Sequence, residues 1–272
     1  MENRDRTIRI STNGDKKKAR KLRIMNISVM AGLCLAWFIA ARMIGKPLVL
    51  PDFLETLEAF LTSWVDKKVM RNMGLTMYRV LVGSFYGLVV GSILGLWMGY
   101  SEKALTLFSP FVNSIRQIPI MAWVPLSIIW FGLGEGPTVF MIFMSAVFPL
   151  IINTISGVTG IDRNYFNAAR SMGANTTAIF RDIVIPGAMP GFLTGLRLAL
   201  GSGWMSVICA EFIATSSGFG YLMIEAQERL QTSKLYALMI MSAIVGYAMD
   251  QLIRLVERKL TSWRFKDGKA KG

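Results

Sequence analysis

Two charged residues, Arg197 and Glu211, stand inside one apolar run, where a charge is costly unless it is paired or lines a polar path. On a helix they lie about 21 Å apart along the axis and within about 40° of one face, too far apart to bond to each other. Two readings follow. Either each snorkels to an interface or pairs with another segment for assembly, or the two mark the inner and outer mouths of a path for an anion or small solute. Asp250, in a later run, reads as a structural pair. The sequence offers little other chemistry. It contains no histidine, which removes the commonest general base and transition-metal ligand. Cys34 and Cys209 each lie within an apolar run, so neither a disulfide framework nor a metal site is expected. The pairs Gly45-Lys46 and Gly268-Lys269 are followed by Pro47 and Ala270, so the G-x-x-x-x-G-K-[ST] loop that cradles phosphates is missing. No enzymatic activity, no ATP hydrolysis by this chain and no cofactor within it are expected.

The elements that position these charges are apolar. The 272 residues are 53% hydrophobic and 17% charged, with a mean hydropathy of +0.46, which points to an integral membrane protein. The net charge of +13 raises nucleic acid as a partner. The basic residues lie in tails and in loops between apolar runs rather than on a folded soluble surface, and this argues against it.

Residues 1–23 form a basic tail. Residues 24–49 hold a first transmembrane helix, of which 24–44 reach roughly 32 Å, enough to cross a bilayer. That run is too long for a signal peptide and lacks a small-x-small cleavage site. Residues 50–79 form an amphipathic interfacial segment, with Phe53, Leu54, Leu57, Phe60, Leu61 and Trp64 at helical spacing. Residues 80–256 form a core of five further helices, and 257–272 a second basic tail. The core spans are expected at 80–98, 118–133, 138–155, 192–214 and 235–256, the second of these kinked by Pro119 and Pro125. Gly83, Gly87, Gly91, Gly95 and Gly99 recur every four residues and make a stripe for close helix packing or for a groove. Six spans put both termini on one side. With that side inside, basic residues there outnumber those outside by more than two to one, so both termini are expected in the cytoplasm.

The same count puts the polar segment 162–186 in the cytoplasm. Asp162 can N-cap one helix, Gly173 suits the left-handed turn that ends it, and Asn175 can cap a second helix that Pro186 stops. Tyr165, Ala168, Ala169 and Met172 fall at i, i+3, i+4 and i+7, giving the first helix an apolar face for docking.

Asn167-Ala168-Ala169, Gly173 and then Ile183-Val184-Ile185-Pro186 resemble the E-A-A-x3-G-x9-I-x-L-P signature of permease subunits of bacterial ABC importers. Similarity to the nitrate, sulfonate and taurine subfamily extends further. It takes in Leu50-Pro51, Arg116-Gln117-Ile118-Pro119, Trp123-Val124-Pro125, Trp130-Phe131-Gly132-Leu133-Gly134, Pro149 with Asn153, Gly195-Leu196-Arg197, Ala210-Glu211, Gly218-Phe219-Gly220-Tyr221-Leu222 and Glu257-Arg258-Lys259. The resemblance implies an all-α, six-helix permease of the type I ABC importer kind in the bacterial inner membrane. Its coupling loop would dock on a separate ATPase subunit through Tyr165, Asn167, Ala168, Ala169, Met172, Gly173, Ile183 and Pro186. Asn167 stands where the family has glutamate, so an ion pair to the ATPase is not expected there; Ile185 replaces a leucine conservatively. A path between two permease copies, expected to be a homodimer, would involve Arg197, Glu211, Trp123 and Asn153. Residues 216–229 would supply an element on the outer side. ATP and Mg would be used by the ATPase partner, and a substrate-binding protein would deliver a sulfonate, taurine, nitrate or related anion. Rival readings are an uncharged or heterocyclic nutrient on the same fold, a stand-alone secondary transporter or channel and, more remotely, a membrane enzyme.

Overall fold

A computed structural model describes residues 2–260; the end of the expected basic tail, 261–272, lies outside the described residues. Among the described residues all regular structure is helical. In chain order the helices are α1 (Glu2–Ile44), α2 (Phe53–Ser63), α3 (Lys67–Tyr100), α4 (Glu102–Ile115), α5 (Val124–Phe131), α6 (Glu135–Thr159), α7 (Arg163–Ser171), α8 (Thr176–Ile179), α9 (Ile185–Ala214), α10 (Phe219–Glu228) and α11 (Thr232–Leu260). Among the described residues, five stretches are long and apolar enough to cross a membrane: Arg20–Ile44, Lys67–Tyr100, Glu135–Thr159, Thr176–Ala214 and Thr232–Glu257. A sixth is formed if α4 and the pair of short helices after it count as one span, bent by 88°.

That bend departs from the expected kinked helix over 118–133. Pro119 restricts Ile118 away from the helical region, so the chain breaks before a 3-10 turn over Ile120–Trp123. Pro125 falls in the first turn of α5, where its missing N–H costs nothing, and so helps to start a helix rather than kink one. Pro186 also differs from expectation. It does not stop the second helix of the 162–186 segment: α8 passes through a π turn at Phe180–Val184 into α9. The wider turn accommodates the proline ring, which would otherwise clash with the carbonyl one turn back.

The core is built on α6, which packs principally against α3 and α9. The glycine stripe of α3 makes this approach possible. A Cβ placed at Gly91 would lie 2.7 Å from Leu150 Cβ, and one at Gly95 2.7 Å from Thr154 Cβ. Of the two readings of that stripe, the structure shows packing, because α6 fills it. On the other side, Ser202 Oγ of α9 donates to Ser145 O at 2.9 Å. This is the carbonyl that Pro149, four residues on, leaves without its helical donor, so a neighbouring hydroxyl replaces the lost bond. Helix α1 takes in the basic segment expected as a tail and the first span, and is tied to the rest mainly by Trp37. That side chain meets the rings of Phe53 and Tyr236 and donates from Nε1 to Pro51 O at 3.2 Å.

Helix α3 begins well before the expected span. Asp66 caps it by accepting from Lys68 N, and residues 67–79, read as interfacial, form its first three turns. The reason is a polar stripe, Asn72, Thr76 and Arg79, buried on one face with partners waiting in the 217–220 turn and on α9.

Candidate coupling loop and transport path

The segment after α6 is capped as its residues dictate. Asp162 Oδ1 accepts from Asn164 N at 2.9 Å to start α7, and Asn175 Oδ1 accepts from Ala178 N at 2.8 Å to start α8. Gly173 joins them with φ +80° and no neighbour within 4 Å of where a Cβ would be, so its conformation rather than its size suits the turn. Helix α7 buries no residue. Phe166 and Ala169 turn inward onto a small core of Val158, Ile179, Val184 and Ala188, together with Ile183. Tyr165 and Met172 remain 65% and 88% exposed, with Asn167, Ala168 and Pro186 also exposed. Of the expected apolar face, Ala169 is thus an anchor, while Tyr165, Ala168 and Met172 are available to a partner.

Trp123 and Asn153, far apart in sequence, line one open cleft of about 510 Å³ with Arg116, Pro119, Ser145, Phe148 and Leu198. Asn153 donates from Nδ2 to Pro149 O at 2.8 Å. Arg197 borders a different hollow between α9 and α11, and its Nη1 lies 3.3 Å from Glu257 Oε2. Asp250 pairs with Arg254 at 2.6 Å.

Glu211 lies inside the chain, fully buried. Its Oε1 accepts from Arg79 Nη1 at 2.6 Å and from Thr76 Oγ1 at 2.7 Å, and its Oε2 accepts from Gly220 N at 2.8 Å. Gly218 N donates to Asn72 Oδ1 and Phe219 N to Thr76 Oγ1, both at 2.7 Å. Three consecutive backbone donors at the start of α10 are therefore satisfied by side chains from α3 and α9 rather than by a local cap. At Gly218, φ is +111°, and a Cβ would run into the Glu211 carboxylate and the Arg79 guanidinium. Arg79 continues to the first residue of α6: its Nε donates to Glu135 Oε2 at 2.7 Å and its Nη2 to Glu135 Oε1 at 2.5 Å. Among the described residues, no group of three His, Cys, Asp or Glu side chains is placed to hold a metal ion.

A capped two-helix loop at one end of α6 and a buried charge cluster at the other frame a helical core with an open cleft. Residues 87–262 match the family described as the binding-protein-dependent transport system inner membrane component. The chain belongs to this family of ABC importer permeases. The taurine transport system permease protein TauC of Escherichia coli (strain K12) is 30% identical over 245 residues, 88% of this chain and 89% of that one. The nitrate import permease protein NrtB of Synechocystis sp. is 29% identical over 211 residues, 78% of this chain and 74% of that one. A solved structure of the inward-facing MetNI methionine ABC transporter superposes with a TM-score of 0.64 at 18% identity, covering 71% of this chain and 96% of the other. It shares the fold.

In this permease, sequence reasoning singled out Glu211 but not the residues that hold it. Asn72, Thr76 and Arg79 lie at i, i+4 and i+7, a polar stripe on a helix, and that spacing was the available signal. Arg79 falls at the end of the segment read as interfacial, and Glu135 stands between two expected spans. Only the packed structure shows that their side chains meet.

Proposed function

We propose that this chain is the permease subunit of an ABC importer for a small oxyanion such as a sulfonate, taurine or nitrate. Two copies form the path, and α7 and α8 dock on a separate ATPase subunit that binds ATP and Mg. A substrate-binding protein delivers the solute at the end of the fold that carries Arg79 and α10, and both termini and the coupling loop face the cytoplasm. The observation that carries the reading is α7 itself, a capped helix at the protein surface with Tyr165 and Met172 exposed and no residue buried. Phe166 and Ala169 pack α7 only partly against its own chain, and a partner groove supplies the rest of the packing that so short a helix needs. The exposed Ile129 and Leu133, at 77% and 75%, are consistent with a second copy or lipid covering that region.

One observation favours a second reading of the solute alone. The cleft is lined largely by apolar side chains such as Ile118, Trp123 and Phe148, which suits an uncharged heterocyclic nutrient as well as a small anion. The test is uptake into proteoliposomes containing the permease, its ATPase subunit and its binding protein. Uptake of a labelled sulfonate, taurine or nitrate that needs both ATP and the ATPase subunit is expected. Uptake without the ATPase would overturn the importer reading, and ATP-dependent uptake of an uncharged solute alone would replace the anion.

A further inference from the structure

Arg79 carries one positive charge between two carboxylates, and all five of its N–H groups are engaged. Nη1 donates to Glu211 Oε1 at 2.6 Å and to Ser217 O at 2.8 Å. Nη2 donates to Ser217 Oγ at 2.8 Å and Glu135 Oε1 at 2.5 Å, while Nε donates to Glu135 Oε2 at 2.7 Å. The two carboxylates are not equivalent. Glu211 is fully buried and is also bonded by Thr76 and the Gly220 backbone, so it stays. The Glu135 side chain is 62% exposed while that of Arg79 is 1% exposed. Among the described residues, the hydrogen bonds of the Glu135 side chain run to Arg79 alone.

Arg79 and Glu211 already balance each other in charge, and Glu135 is a surplus anion on the same cation. If it swings outward, a neutral buried pair remains, but the Nε and Nη2 edge of the guanidinium is left without acceptors. Unmet donors on a buried charged group are costly, and a group with two oxygens at carboxylate spacing satisfies both at once, where water would have to supply two separate acceptors. A sulfonate or a nitrate has that shape, and the planar fork of arginine bonds it with two parallel N–H contacts. The Ser217 hydroxyl lies beside the same edge.

We propose that the Nε and Nη2 edge of Arg79 is an oxyanion-binding site, and that Glu135 is its tethered occupant, displaced when a small sulfonate or nitrate binds. This rests on the reading of the chain as an anion permease, under which the Arg79 end of the fold faces the arriving solute. Glu135 keeps the buried donors bonded when no anion is present and sets a threshold concentration for binding.

The test uses the full chain in lipid nanodiscs with its ATPase subunit, titrated with methanesulfonate at constant ionic strength against chloride and followed by calorimetry. Glu135→Gln keeps the size of the occupant but removes its charge, and the half-saturating methanesulfonate concentration should fall at least ten-fold from that of the wild type. Adding Arg79→Lys to Glu135→Gln keeps the positive charge beside Glu211 but removes the fork, and should abolish the gain. Because Glu135 is exposed, the single variant should fold, and its comparison with wild type is decisive even if the double variant does not. Unchanged or weaker binding in Glu135→Gln overturns the proposal, as does a gain reproduced by chloride. Sulfonate uptake by the assembled importer without the Glu135→Gln gain would sink this site and leave the transport reading intact. The gain without any anion uptake would do the reverse.

Discussion

Arg79 Nη1 and Glu211 Oε1 lie 2.6 Å apart, with side-chain exposures of 1% and 0%. The pair joins the first turns of α3 to the last turn of α9, and through Gly220 and Ser217 it fixes the start of α10. A buried pair of this kind is weak evidence for net stability; removing Glu211 leaves Arg79 paired with Glu135 but takes a buried acceptor from Arg79 Nη1, Thr76 Oγ1 and Gly220 N, a loss of about 1–3 kcal/mol. Glu211→Ala should therefore destabilise the detergent-solubilised permease by that order. Combining Arg79→Met with Glu211→Leu should recover much of the loss. Denaturation midpoints of the wild type and these two variants check this, and a double variant no better than Glu211→Ala would show that the α10 contacts rather than the charges dominate.

Gly91→Val tests the packing of the central helices. A Cβ at this position would lie 2.7 Å from Leu150 Cβ and 2.9 Å from Val147 O, and backbone cannot step aside cheaply. Overpacking usually costs about 1–3 kcal/mol, and the extra methyl groups of valine place this variant at or beyond the upper end. Lower yield of folded protein and a lower melting temperature are expected, whereas Gly74→Ala, with nothing within 4 Å, should be near wild type by both measures.

The parts legible in the sequence follow local rules. Asp162, Gly173 and Asn175 act where capping and turn chemistry place them, and the four-residue glycine repeat announced the α3 packing face. The parts that were not legible depend on distant partners. Residues 67–79 read as an interfacial segment because a hydropathy pattern treats Asn72, Thr76 and Arg79 as surface polar groups. The structure gives them buried acceptors and donors from the 217–220 turn and α9, which propensity cannot foresee. Pro186 misled for a related reason: whether proline ends a helix depends on the turn before it, and here that turn is π.

Glu225 on α10 gives stability a pH dependence. Lys68 Nζ lies 2.6 Å from its Oε2 and Arg229 Nη2 2.7 Å from its Oε1. Hydrogen bonding from Lys68, ahead of the surrounding positive charge, holds the Glu225 carboxyl below its ordinary range. A carboxylate depressed in the folded state stabilises above its unfolded pKa, near about 4.3. That contribution is lost as pH falls through the lower folded value. Glu225→Gln should lower the melting temperature at pH 7, and the gap to wild type should close below about pH 4. Because Lys68 is half exposed, the effect should stay under about 1 kcal/mol. A gap that persists unchanged at acid pH would assign the loss to packing.

Met172, 88% exposed at the end of α7, separates docking from folding. Met172→Asp changes no buried contact, so the melting temperature of the isolated permease should stay within a degree or two, consistent with less than about 0.5 kcal/mol for a surface substitution. Placing a charge in an apolar docking face should nevertheless weaken co-purification with the ATPase subunit at least ten-fold. Asn167→Asp, adding a charge nearby on the same exposed helix, should have a smaller effect. Undiminished ATPase binding by Met172→Asp would remove this face from the interface.

Gly173 carries the last prediction. Its φ of +80° is a conformation in which a side chain costs about 1–2 kcal/mol, and the space around it is open, so strain rather than collision is what a substitution introduces. Valine, branched at Cβ, is the most disfavoured there, whereas asparagine tolerates the left-handed region. Gly173→Val should shift α7 relative to α8 while leaving the α3–α6–α9 core in place. In proteoliposomes with the ATPase and binding protein, it should retain ATP hydrolysis but lose most solute-stimulated uptake, or fail to assemble. Gly173→Asn should keep at least half of the wild-type transport rate. Normal solute-stimulated hydrolysis and uptake in Gly173→Val would show that the geometry of this turn does not transmit the ATPase cycle to the membrane helices.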